Sequence, residues 1–179
     1  PLVGRFEGGT QSPGPDVTDI VHQGRRHQQV GVESRVPLGE GLRQRRDAAL
    51  NALEFFAPFD ARLVGPVLDG TADANSPVHL QLYTDDAEAV PRFLEEHRIP
   101  AETRSRRIRL DRERILDCPV WLFSAEELSF DLTVLPHSAL RQAPLSSIDE
   151  KPMRRASAAQ LRALLVEEDV AGYETSSAL

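Results

Sequence analysis

Ala61–Tyr83 reads ARLVGPVLDGTADANSPVHLQLY. The apolar pair Leu63 and Val64 runs into Gly65 and Pro66, and a turn-rich segment with Gly70, Asp73, Asn75 and Ser76 follows. The chain then alternates: Val78, Leu80 and Leu82 fall on one parity, His79, Gln81 and Tyr83 on the other. Alternation with period two marks a strand with one buried face, so the pattern predicts a strand, a looped connection and a second strand.

The flanking sequence extends the pattern into a domain. Upstream, Ala48, Ala49, Ala52, Leu53 and Phe56 recur at helical spacing from Leu42 onward, until Pro58 interrupts. Downstream, Asp85 and Glu88 have the spacing of a helix N-cap pair. Val90, Phe93 and Leu94 supply the apolar face, and Pro91 places either a kink or the true helix start near itself. Three extended segments follow: Thr103–Leu110, Pro119–Phe123 and Leu128–Leu135. Pro136, Pro144 and Pro152 mark a long connection, and Ser157 with Gln160 opens a last helix whose buried face is Leu161, Leu164 and Leu165. The expected architecture is α/β (α+β), a small mixed sheet flanked by helices in the order α-β-β-α-β-β-β-α.

The Ala61–Tyr83 stretch also resembles the signature of the nucleotidyltransferase superfamily related to DNA polymerase β. In that family a Gly-Ser closes one strand, and Ser-Asp-hydrophobic-Asp lies on the next. Gly65, Gly70, Ala72, Ser76, Val78 and Leu80 fall where the family places its glycines, small residues and strand apolars. Asp131, within LSFDLTVL, resembles the third carboxylate, carried on a later strand. The resemblance implies nucleotide-binding positions at Gly65, Ser76 and His79 and a catalytic position at Asp131. It extends over roughly Leu42–Leu135. Small bacterial proteins with the same Leu-Val-Gly-Pro run are similar too, and no activity carries over from them.

The chemistry the resemblance implies is damaged. Pro66 stands where a phosphate-contacting Ser belongs, and it offers neither a hydroxyl nor a backbone N–H. Pro77 and His79 stand at the two metal-binding Asp positions. Two-metal transfer needs carboxylates, because Mg²⁺ prefers oxygen ligands. Imidazole suits zinc, copper or nickel instead. His79, Asp131 and His137 would make a two-histidine, one-carboxylate set. A histidine alternating outward from a strand is more often an ordinary cleft residue, so no metal site is expected.

Three readings follow. One is a catalytically degenerate nucleotidyltransferase-like fold, a pseudoenzyme serving as a regulatory module that binds a nucleotide, another small molecule or a protein partner. A second is an active enzyme transferring a nucleotide from NTP with Mg²⁺ and carboxylates from elsewhere, such as Asp69, Asp73 or Asp131. The third is a structural protein that binds a partner through a sheet edge or its last helix. The missing pair of aspartates separates the second from the others.

Composition narrows the setting. A net charge of −7 over 179 residues argues against a dedicated nucleic-acid binder, whose footprint is usually basic. No apolar run reaches the length of a membrane helix, and no membrane partner is expected. No secretory pattern opens the sequence, and Pro1 is read as a processed or truncated start. Cys118 is the single cysteine, which agrees with a reducing, cytoplasmic compartment. Residues 1–40 lack apolar periodicity and are expected to form a flexible tail. The domain is placed at residues 41–170, with a frayed end over 171–179. The arginine-rich strand from Arg104 to Arg114 offers contacts to a phosphate-bearing ligand, but the interleaved Glu102, Asp111, Glu113 and Asp117 favour a solvated, internally paired surface.

Overall fold

A computed structural model of the protein describes residues 38–176. The tail expected over residues 1–40 lies outside these residues except for its last three positions, which begin the first helix. Helix α1 (Leu38–Phe55) leads through a 3-10 turn (Ala57–Phe59) into strand β1 (Arg62–Val64). A four-residue helix, α2 (Pro66–Asp69), precedes β2 (Val78–Tyr83). Then come α3 (Ala89–Glu96), β3 (Glu102–Arg109), β4 (Ile115–Ala125) and β5 (Leu128–Leu135). The short α4 (Ser138–Arg141) and the long α5 (Ala158–Ser176) finish the domain. The architecture is a mixed α+β one, a five-stranded sheet flanked by helices, and its main elements follow the expected order.

The sheet order is β1-β2-β5-β4-β3. β2 and β5 pair in parallel at its centre, and the remaining pairs are antiparallel. Alternation sorts the side chains as the sequence predicts. Val78, Leu80 and Leu82 of β2 join Phe130, Leu132 and Val134 of β5 on one face. Ala49 and Leu53 of α1, Phe56 just after it, Val90 and Leu94 of α3, and Leu161 and Leu165 of α5 cover that face. Every described phenylalanine belongs to this core or its rim, with Phe93 meeting Phe55 and Phe59 edge-on and Phe123 stacked on Phe130 at 4.9 Å.

One detail differs from the sequence expectation. Asp85 does not cap α3: its Oδ1 instead accepts from the backbone N–H of His137 at 3.0 Å, tying the ends of β2 and β5 together. The helix begins at Ala89, so Pro91 lies in the first turn, where the helix has no use for its missing N–H. Helix α5 continues to Ser176. Gly172 weakens the helix without ending it.

Polar groups fasten the elements. Arg46, buried on α1, donates to the carbonyls of Val67 at 3.0 Å and Leu68 at 3.1 Å and pairs with Glu168 of α5. Arg45 donates to the carbonyls of Ser76 and Gly41 at 3.1 and 3.0 Å, and to that of Ala74. Two successive arginines thus hold both halves of the β1–β2 connection. The Ser157 capping box forms as expected: Ser157 N–H donates to Gln160 Oε1 at 2.9 Å, and Gln160 N–H to Ser157 Oγ at 3.3 Å. In urea denaturation, Ser157→Ala is expected to cost about 1 kcal/mol. Arg46→Ala, which strands two carbonyls and a carboxylate, is expected to cost about 3 kcal/mol.

Candidate functional site

The second face of the sheet carries His79, Gln81 and Tyr83 of β2 beside Asp131, Thr133 and Leu135 of β5. At the far end of the strands, Tyr83, Leu135, Cys118, Leu110 and Ala139 form a small second core. Arg155 clamps the returning chain there, donating to Tyr83 Oη at 2.8 Å and to the carbonyls of Ala139 and Leu140 at 3.0 and 3.1 Å. Burial pushes the Tyr83 phenol up, which the Arg155 charge partly opposes. Nearer the strand starts the face stays open, and a cleft of about 820 Å³ forms over it. Gly65, Pro66 and His79 line one side of this cleft, and the segment Leu145–Arg154 forms the opposite wall.

Three of the four site residues expected from the sequence come together here. Parallel pairing sets His79 directly beside Asp131, with His79 Nδ1 3.5 Å from Asp131 Oδ2. Gly65 sits under the imidazole at φ +74°, and a Cβ there would meet His79 Cδ2 at 3.4 Å. The backbone conformation favours glycine, and the imidazole lies just at contact distance. Ser76 is elsewhere. Its Oγ donates to Asp73 Oδ1 at 2.8 Å and accepts from Asp73 N–H at 2.9 Å, closing an exposed turn outside the cleft. The same bonds occupy Asp73, holding its carboxyl below the usual range, whereas Asp69 does line the cleft.

Asp131 is 4% exposed, and a buried carboxylate demands partners. Arg106, on the edge strand two positions away across the sheet, reaches over β4 to supply them. Its Nη1 donates to Oδ1 at 3.1 Å and its Nη2 to Oδ2 at 2.6 Å, a bidentate pair. Nη1 also donates to Thr133 Oγ1 at 3.2 Å. Among the described residues no buried side-chain nitrogen or oxygen lacks a partner. The sequence placed Arg106 on the same parity as Ile108, which faces this side. The sequence left open that Asp131 is bonded to a nearby arginine, but no local pattern identified one two strands away. The wall residues Lys151 and Arg154 went unnoticed as site residues, because proline-bearing connections carry no periodicity to orient them.

The arrangement does not suit Mg²⁺. Pro77 has no donor atom, His79 offers nitrogen, and both Asp131 oxygens are already engaged by a guanidinium. A divalent cation beside that carboxylate would also sit against the Arg106 charge. His137 is the residue before α4, and among the described residues no three His, Cys, Asp or Glu side chains converge as metal ligands.

No protein-family model and no curated protein sequence matches this chain. Among solved structures, that of a cytoplasmic RNA terminal U-transferase matches with 22% identity and a TM-score of 0.33, over 56% of this chain. The match covers 29% of that protein's length. Similarity at this level leaves the relationship to be argued from the chain's own residues. Among the described residues no helix is long and apolar enough to cross a membrane.

Burial pushes the Asp131 carboxyl up, but His79 and Arg106 outweigh burial and hold it at about 2, against an ordinary 3.8. A depressed carboxylate stabilises the fold above its unfolded pKa, and that stability is lost as pH falls through the folded value. The shift corresponds to about 2 kcal/mol. In urea denaturation, the wild-type advantage over Asp131→Asn is expected to shrink by most of that amount as pH falls from about 5 towards 2.

Proposed function

We propose that this chain is a catalytically degenerate member of the nucleotidyltransferase-like fold, serving as a binding module. The element order and the glycine-bearing connection support the kinship. So does the juxtaposition of Gly65, His79 and a later-strand carboxylate on one open sheet face. The observation that carries the loss of catalysis is the bidentate Arg106–Asp131 pair, 2.6 Å at its shorter contact. In a two-metal site this carboxylate would share a cation with two aspartates on the neighbouring strand. Here those positions hold Pro77 and His79, and an internal cation takes the place of the metal. Nucleotidyl transfer draws its rate from metal ions that neutralise both the attacking and leaving oxygens. A single carboxylate already neutralised by arginine supplies no such field. The cleft and its walls persist, so binding survives where chemistry does not.

Incubation with the four NTPs and Mg²⁺ or Mn²⁺ tests this reading. No pyrophosphate release above that of Asp131→Asn is expected. Metal-dependent release that Asp131→Asn abolishes would overturn it in favour of an active transferase.

A further inference from the structure

Each cation lining the cleft has a carboxylate partner, and two of those pairs are loose. Five cationic side chains line it, among them Arg106, Lys151 and Arg154, against the three carboxylates of Asp69, Asp149 and Glu150. Arg106 is spoken for by Asp131. Arg154 and Lys151 are not tightly held: Arg154 lies 3.8 Å from Asp69 and Lys151 4.0 Å from Asp149. Their side chains are 61% and 79% exposed. Pairs this long and this wet contribute little, so both cations can turn to a ligand without breaking the fold.

The same wall has an apolar tip. Leu145 bridges Pro152, and Ser146 N–H donates to the Lys151 carbonyl at 2.8 Å, closing the loop on itself. Leu145 N–H donates to the Arg109 carbonyl at 2.8 Å, and Arg109 pairs with Glu150 at 2.6 Å, docking the loop on β3. Ile148 projects from this anchored loop, lines the cleft and is 94% exposed. A bare isoleucine beside solvated cations matches a ligand with an anionic end and an apolar end.

We propose that the cleft binds a phosphate ester carrying an apolar or planar group, without a divalent cation. Lys151 and Arg154 contact the phosphate, and Ile148 covers the apolar part. This rests on reading the cleft as catalytically degenerate: the charge that metals would neutralise is met by side chains instead.

Calorimetric titration of the full chain with ADP and with inorganic pyrophosphate, each in EDTA and in Mg²⁺, tests the proposal. Both are expected to bind in EDTA, with no gain from Mg²⁺. The exposed double variant Lys151→Ala/Arg154→Ala is expected to weaken both by tenfold or more. Ile148→Ser is expected to weaken ADP severalfold and leave pyrophosphate unchanged. Binding in EDTA that the double variant retains would overturn this location, and equal loss of both ligands in Ile148→Ser would overturn the assigned role of the loop tip. Binding only with Mg²⁺ would overturn both the metal-free site and the degenerate reading. No binding in either buffer would overturn this proposal alone and leave the degenerate module to a protein partner.

Discussion

Parallel pairing of β2 with β5 fixes the rest of the molecule. It places Val78, Leu80 and Leu82 in register with Phe130, Leu132 and Val134, so that one face is apolar across the sheet centre. Three helices close over that face. The same register, read on the opposite parity, puts His79 against Asp131 and Gln81 against Thr133. A slip of one residue would expose the core and bury the polar row, so the buried face dictates the composition of the open one.

The open face is stable because its charge is compensated internally. Asp131 would be costly to bury alone, and Arg106 crosses β4 to meet it with both nitrogens. Arginine does similar work elsewhere. Arg45 and Arg46 hold the β1–β2 connection by its carbonyls, and Arg155 holds the returning chain over Tyr83. A planar guanidinium can satisfy several acceptors at once, which a lysine ammonium does less selectively. The edges of the sheet are managed differently. Ala156 bonds in both directions with Leu63 and closes the β1 side, while β3 leaves its edge lined with charged side chains.

Under the proposed degenerate reading, this compensation would let a cleft outlive its chemistry. Replacing metal-binding aspartates with Pro77 and His79 would leave a lone Asp131 with no counter-charge. Arg106 supplies one within the protein, and the sheet keeps its geometry. The returning segment from Leu145 to Arg154 faces strand residues His79, Gln81, Thr133 and 106–109 across the cleft.

The sequence by itself determined the strands, their faces and the helices that cover one of them. Period-two alternation and helical spacing are local properties, written residue by residue. The resemblance in Ala61–Tyr83 likewise placed Gly65 and His79 together, because a strand, a glycine turn and a strand leave little choice of arrangement. Ser76 escaped that logic: its hydroxyl found Asp73 three residues away before any ligand. Asp85 escaped it too, capturing a backbone N–H 52 residues downstream. What only the tertiary structure decided was the partner of Asp131 and the second wall of the cleft. Arg106 reaches Asp131 across an intervening strand, and Lys151 and Arg154 arrive on a connection without periodicity. Contacts of that kind depend on sheet order and chain return, and no local pattern encodes either.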